Sequence, residues 1–332
     1  MKGIVFEGTQ KLAVRDLPIP TVKEGWVLIK VSHAGICGSD MTIYFGKHPR
    51  AKAPLVLGHE FSGYIASWHP TLPEGTLVTV YPYLSCGECD ICESGGRNAC
   101  ITLKLIGIDL DGGMAEYVLV PFGSVYKAPE NISPKLTAFI EPIGISVHSM
   151  RHGGYRPGDR VVVFGAGSIG LAVALTVRQY GANNLIIFEP NPVRLEVAKS
   201  LGFDALPFGP DAVNEIYNRT GGGADCVFDC AGHQSVIDVL PDAVRINGKI
   251  ILVAGYKNPP QMNFQKGMMR EFAIQFVRNC TRRDFEIACA LTGREPGYEK
   301  LVNYALPVEE AQKGFDLLSA PSDAVKVMFA FE

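Results

Sequence analysis

Long apolar runs are missing from this chain. No stretch approaches the roughly 20 consecutive apolar residues that a membrane-spanning helix needs, so a membrane is not an expected partner. Charge of one sign is missing too: Lys and Arg number 31 against 34 Asp and Glu, the net charge is −3, and the isoelectric point lies near 6.2. Such a balance supplies no field for nucleic acid or an anionic lipid surface. There is no internal repeat and no low-complexity linker. The opening residues 1–8 read directly as a strand, so no secretory leader is expected and the expected compartment is the cytoplasm. Nine cysteines in such a chain are better read as metal ligands plus buried thiols than as a disulfide framework. Cys226, Cys230, Cys280 and Cys289 lie in apolar strand or helix contexts, where a buried structural thiol is the default.

The length of 332 residues allows two domains, each with its own core. Over the first 140 residues, short strand patterns at 2–6, 26–31, 61–66 and 76–80 are broken by Gly and Pro, which predicts a compact, mainly antiparallel β-domain. The style changes at Pro157-Gly158-Asp159. Residues 160–164 form a continuous apolar run, as in a strand buried on both faces, and a glycine loop and an apolar helix ending at Gly181 follow. Strands at 185–188, 226–229, 249–254 and 272–277 alternate with helices at 193–201 and 235–240. That alternation predicts an α/β domain with a doubly wound, Rossmann-type parallel sheet. The tail reads as a helix at 311–318 and a final strand at 324–331.

Cys86, Cys89, Cys92 and Cys100 are separated by two, two and seven residues. Short C-x-x-C steps let thiolates share one ion, and four soft sulfurs with no intervening histidine suit tetrahedral zinc. A closed four-sulfur shell leaves no open position, so this zinc is expected to be structural. A cysteine-ligated iron–sulfur cluster is the rival, disfavoured because no Pro follows the last cysteine.

Gly165-Ala166-Gly167-Ser168-Ile169-Gly170 follows a predicted strand, opens a helix, and precedes a second strand that ends at Glu189, nineteen residues after Gly170. In that context the triplet is a dinucleotide fingerprint. The helix N-terminus meets the pyrophosphate and the acid takes the ribose hydroxyls. Glu189 would repel a 2′-phosphate, so NAD is favoured over NADP. Arg194 could instead pair with such a phosphate, lie along the adenine, or cap Glu189.

Cys37 in the Cys37-Gly38-Ser39-Asp40 block and His59 in the Gly58-His59-Glu60 block each have a bland reading when taken alone, as a small buried hydrophobe and a satisfied polar group. Together with Glu141-Pro142, the cysteine knot, residues 111–117 and the glycine loop, all in order, the chain resembles the zinc-dependent medium-chain dehydrogenases. The resemblance is to the polyol branch of sorbitol, galactitol-phosphate and threonine dehydrogenases, and it spans essentially the whole length. It implies a GroES-like catalytic zinc domain of residues 1–143 and 281–332, and a dinucleotide-binding domain of 144–280. It implies two zinc ions per chain. Cys37 and His59 would be ligands of the catalytic one, with Glu60 and Glu141 the acids at the metal, one ligating directly and the other directly or through water. By the same resemblance, Asp40 orients His59 and Ser39 first accepts the substrate hydroxyl's proton. Where many relatives continue the relay with a His, this chain has Thr42. Ile169, Arg194, Val253, Ala254, Gly255 and Val277 are the implied further contacts to the cofactor, and Arg278 and Asn279 those to substrate hydroxyls.

The reading that results is NAD-dependent oxidation of a secondary hydroxyl of a polyol, sugar or sugar acid, with or without a phosphate, by a homodimer or homotetramer. A 3-hydroxy amino acid dehydrogenase of threonine type is the alternative. A noncatalytic relative would have lost a ligand, and a redox-sensing role for the knot would be exposed by its metal content. His48 and Arg50 form a small basic cluster whose default reading is a solvated face.

Overall fold

The computed structural model describes residues 1–320 and 322–331. The chain divides into two compact units, Met1–Gly144 with Thr281–Glu332, and Ile145–Cys280.

In the first unit the order along the main sheet is Val125–Lys127, Leu77–Val80, Glu60–Ile65, Trp26–Gly35, Lys326–Ala330, Val302–Pro307, and Tyr117–Pro121 also pairs with Trp26–Gly35. Every pairing is antiparallel except that of the last two strands, which run parallel. The register places Gly35 opposite both Glu60 and Met328. The ends of three strands far apart in sequence therefore meet at one glycine. A Cβ there would lie 2.5 Å from Glu60 Oε2 and 2.9 Å from Lys326 Cε, so only glycine fits. A separate sheet of Lys11–Asp16, Lys2–Gly8 and Leu55–Val56 completes the β-domain, and a small hairpin, Tyr83–Leu84 with Lys104–Leu105, carries the cysteine lobe.

The second unit is a six-stranded sheet, parallel throughout, in the order Asp204–Pro207, Asn183–Glu189, Arg160–Phe164, Ala224–Asp229, Val244–Leu252, Ala273–Phe276. With strands counted along the chain this is the 3-2-1-4-5-6 order of doubly wound folds. The central strand Arg160–Phe164 carries the run Val-Val-Val-Phe, as a strand covered on both faces does. Val162, Phe164, Ile186, Phe188, Val227, Leu240 and Ile250 belong to one buried cluster. The strand Asp204–Pro207 and the helix Ala212–Thr220 were not among the sequence expectations. The first is a short edge strand that ends in proline, and the second carries Asn214, Glu215, Asn218 and Arg219 among its few apolar residues. No helix among the described residues is long and apolar enough to cross a membrane.

Candidate active site

Cys37 caps the helix Gly38–Tyr44, directly after the Trp26–Gly35 strand. Its backbone N–H donates to Asp40 Oδ2 at 2.8 Å, so the capping carboxylate fixes the loop that presents the thiol. His59 immediately precedes the strand Glu60–Ile65. Strand pairing at Gly35–Glu60 therefore sets the two blocks side by side. The candidate ligand atoms of Cys37, His59 and Glu60 all lie within 4.8 Å of one another, and His59 and Glu60 are buried.

The charges around them are unusual for an interior. Asp40, Glu60 and Glu141 are 0%, 1% and 3% exposed. Buried carboxylates are costly unless paired or bound to a metal. Glu60 is ion-paired with Lys326, itself 2% exposed, whose ammonium also donates to the Ile36 carbonyl at 2.8 Å. Burial would lower the pKa of Lys326, but Glu60, Cys37 and Asp40 raise it. Burial pushes the Glu141 carboxyl up to about 7, helped by Glu60 and opposed by His59, the Tyr83 hydroxyl and Lys326. Burial would likewise lower the pKa of His59, yet Cys37, Asp40 and Glu141 carry it well above the ordinary value. Asp40 Oδ1 faces His59 Nδ1 at 3.9 Å. His59 Nδ1, Asp40 Oδ1 and the Ser39 hydroxyl are buried with no hydrogen-bond partner. Soft and hard donors with unspent lone pairs, in a pocket with surplus negative charge, fit a bound zinc ion.

Glu141 lies in the first turn of the helix Ile140–His152 and accepts a short hydrogen bond from Tyr83. It is absent from the close set of three, in which the carboxylate is Glu60. Thr42 donates its hydroxyl to the Gly38 carbonyl at 3.0 Å, which spends it on its own helix. Lys326 and Tyr83 escaped the sequence reading. The one signal for Lys326 was a lysine inside the apolar run 324–331, a residue almost never buried unless paired.

The four lobe cysteines also converge. Sγ–Sγ distances are 3.5 Å for Cys86–Cys100, 3.9 Å for Cys86–Cys92 and 4.0 Å for Cys89–Cys100. A zinc tetrahedron with Zn–S bonds of about 2.3 Å has edges of about 3.8 Å, whereas a disulfide holds its sulfurs at about 2.05 Å. Positive φ at Gly87 and Gly95 permits the tight wrap. The backbone N–H of Cys86 donates to Cys100 Sγ at 3.4 Å and draws its pKa down to about 6, towards the thiolate a metal needs.

In the second unit, the parallel register lines up Phe188, Phe164, Asp229, Leu252 and Phe276 along one edge of the sheet. The expected cofactor residues Gly165, Glu189, Val253 and Val277 each come next in their strands' chains, the edge at which open α/β sheets bind ligands. Gly165 has φ of +97°, and a Cβ on Gly170 would lie 1.9 Å from the Gly165 carbonyl oxygen. Gly167 caps the helix Ser168–Gln179, and a Cβ on it would meet nothing within 4 Å, so the space over this helix N-terminus is open. Ile169 follows in the first turn of that helix. Glu189 Oε2 accepts the Ala166 N–H at 2.6 Å and Oε1 the Asn191 N–H at 2.9 Å, so the acid braces the glycine loop. Arg194 sits in the helix Pro192–Ser200 that follows. The N–H groups of Val253 and Ala254 both donate to the Asp229 carbonyl at 3.0 Å, with Gly255 next. Arg278 and Asn279 continue from the Ala273–Phe276 strand, Arg278 exposed and Asn279 at φ +57°, in this unit and not in the one that holds Cys37 and His59.

A thiolate–imidazole–carboxylate set in one unit and a dinucleotide edge in the other define an alcohol dehydrogenase of the zinc type. Residues 23–130 match the family described as "Alcohol dehydrogenase GroES-like domain" and residues 168–293 the one described as "Zinc-binding dehydrogenase". L-galactonate-5-dehydrogenase of Escherichia coli K12 is 34% identical over 277 residues, 82% of this chain and 80% of its own length. Sorbitol dehydrogenase of Halalkalibacterium halodurans is 32% identical over 344 residues, 99% and 98% of the two chains. Among solved structures, the alcohol dehydrogenase RspB of Escherichia coli CFT073, complexed with cofactor NADH, superposes with a TM-score of 0.91 at 30% identity, covering 100% of this chain and 99% of that one. The chain belongs to the zinc-dependent medium-chain dehydrogenases, in their polyol branch.

Proposed function

We propose that the chain oxidises a secondary hydroxyl of a polyol, sugar or sugar acid to a ketone with NAD as hydride acceptor. The observation that carries this is the buried set Cys37, His59 and Glu60 with Glu141 close by, acid-rich where a simple alcohol site would carry a second thiolate. The sorbitol and L-galactonate relatives support the substrate class. Zinc held by this set would stabilise the alkoxide form of a substrate hydroxyl, making it acidic near neutral pH. The Ser39 hydroxyl, itself buried and unpartnered, supports a role for Ser39 in taking the proton that leaves. Asp40 fixes the Cys37 loop through its N–H and faces His59, orienting both ligands. Lys326 balances Glu60, so that the acid is held in place without leaving the pocket doubly charged. Arg278 and Asn279 would pair with the additional hydroxyls of a polyol.

A second, structural zinc would sit in the four-cysteine lobe. The doubly anchored carboxylate of Glu189 favours NAD over NADP by charge. Four unpaired lobe thiols suit a reducing compartment such as the cytoplasm. A homodimer or homotetramer is supported by the open edge of the Ala273–Phe276 strand, beside which Phe276, Met268 and Met269 are 69%, 72% and 73% exposed. The test is an NAD-reduction screen over sugar alcohols, aldonates, their phosphates, threonine, ethanol and 2-propanol. Polyhydroxylated secondary alcohols should lead it. Ethanol turning over as well as the best polyol would defeat the substrate reading, and threonine leading would transfer it to the amino acid class.

A further inference from the structure

Asp229 closes the strand Ala224–Asp229 and is 0% exposed, yet no contact to metal, substrate or coenzyme is expected of it. Its polar groups are all turned back onto the chain. The main-chain carbonyl accepts the N–H groups of Val253 and Ala254, both at 3.0 Å. Oδ1 accepts those of Ala231 and Gly232 at 2.9 and 3.0 Å, and Oδ2 accepts the Tyr256 hydroxyl at 2.5 Å. A buried carboxylate is costly without such partners; with them it becomes a rigid hub. Tyr256 is half-buried, and its ring packs against the cluster that holds Phe164 and Val227. Burial, the bond to Asp229 and that residue's charge all push the phenol's pKa up, so the hydroxyl stays a donor.

The hub lies at the edge of the sheet where the dinucleotide is expected. Glu189 ends the neighbour on one side of the strand Arg160–Phe164, and Asp229 ends the neighbour on the other. A dinucleotide whose adenosine ribose meets Glu189 and whose pyrophosphate meets the helix at Gly167 would carry its nicotinamide half across the ends of Ala224–Asp229 and Val244–Leu252. The loops there are packed in a row. The Cys230 N–H donates to the Phe164 carbonyl at 2.9 Å, and a Cβ on Gly165 would lie 3.3 Å from the Ala231 backbone. Gly232 has φ of +64°, and a Cβ on it would lie 2.7 Å from the Gly255 carbonyl oxygen. Asp229 and Tyr256 thus hold both ends of the segment 253–256 against residues 230–232, with no room for either loop to shift towards the other.

We propose that Asp229 and Tyr256 are positioning residues for the nicotinamide half of the coenzyme, acting through the segment Val253–Gly255 that they clamp rather than by touching the coenzyme themselves. The assignment rests on the NAD reading above and adds to it the pair that shapes one half of the site. The test titrates full-length, zinc-loaded wild type, Tyr256→Phe and Asp229→Asn with NADH and, separately, with ADP, which lacks the nicotinamide half. Melting temperatures are taken on the same preparations. Tyr256→Phe keeps the packed ring and removes only the hydroxyl, so it reads the clamp even where Asp229→Asn folds poorly. The expected result for Tyr256→Phe is NADH binding weakened at least about tenfold with ADP binding unchanged, and a rise in the KM for NAD to match. Asp229→Asn, in which one acceptor oxygen becomes a donor, should show a larger loss of the same kind. A purely structural duty would lower the melting temperature and leave the ratio of NADH to ADP affinity where it was, and an unchanged ratio in Tyr256→Phe overturns the proposal. Wild-type protein that binds neither ligand would instead overturn the coenzyme reading on which it rests.

Discussion

A lysine inside an apolar strand is costly unless a carboxylate answers it, and Lys326 is answered by Glu60, 266 positions earlier in the chain. Breaking a buried pair by removing one partner typically costs about 3–5 kcal/mol. Lys326→Met should therefore lower the melting temperature, and more so in chelator-treated protein than in zinc-loaded protein, because bound metal would still answer Glu60. Thermal melts with and without zinc check this, and equal losses in the two states would separate Lys326 from the metal. Glu189 bears a second prediction. It spends one lone pair per oxygen on Ala166 and Asn191, and the rest would meet the adenosine ribose. NAD should be used at least about tenfold better than NADP, a difference of about 1.4 kcal/mol. Glu189→Ala should narrow that gap while weakening both coenzymes, since the glycine loop loses its brace. Coenzyme titrations of both proteins test this, and an unaltered gap would shift coenzyme choice to Arg194. Glu189 was legible because acid, loop and strand follow one another within 25 residues, 165–189. Lys326 was not, because its partner is brought to it only by strand pairing.

At the level of elements, periodicity and turn chemistry carried most of the information. The continuous run Arg160–Phe164 and the helix Ser168–Gln179 stand as the pattern predicts, because a strand covered on both faces has no polar side to disguise it. The missed strand Asp204–Pro207 lies at the sheet's edge, where half-exposed residues blur the signal. Sheet order was readable only through the doubly wound pattern of the second unit, and the clamp at the edge opposite the cofactor loop was not readable. There Asp225 receives Arg160 Nε and its backbone N–H, both at 2.8 Å, together with Arg245, and so joins the beginnings of three neighbouring strands. Burial would raise its pKa, but the bonds from Arg160 and Arg245 hold the carboxyl well below the usual carboxylate range. A depressed folded-state pKa contributes stability that is complete above the unfolded value near about 3.9 and is lost as the pH falls below it towards the folded value. Asp225→Asn should thus cost about 1.5–3 kcal/mol at pH 7, as expected of hydrogen bonds to a charged group. Its deficit against wild type should shrink steadily below about pH 4. Urea melts across that range measure the difference, and a deficit independent of pH would mean that packing rather than charge sets the cost.

For the molecule as a whole, the two candidate ligand sets differ in what surrounds them, and that difference supports the roles proposed for them. The Cys37, His59 and Glu60 set is built on the ends of sheet strands and has a hydrogen-bonded support in Asp40, Lys326 and Tyr83. The cysteine lobe hangs on a two-strand hairpin, with a four-residue helix and a three-residue turn as its only other regular structure. So little packing would leave the lobe's order to a bound metal, since structural zinc contributes folding free energy outright. The sulfur spacing alone made the lobe legible in the sequence, while of the support around Cys37 and His59 only Asp40 was read in advance, and Lys326 and Tyr83 became visible only in three dimensions. Metal analysis of freshly prepared protein should approach two zinc equivalents per chain. Cys37→Ser should abolish turnover and remove one equivalent while the fold and the lobe's zinc persist. Cys92→Ser, which opens a buried corner of the sulfur tetrahedron, should lose the other equivalent and with it stability or assembly, leaving Cys37, His59 and Glu60 chemically intact. Metal content, thermal melts and kcat measured on the same preparations decide the matter. A fully stable Cys92→Ser together with a fully active Cys37→Ser would overturn both assignments, because the lobe would then have no structural duty and the strand-end set no catalytic one.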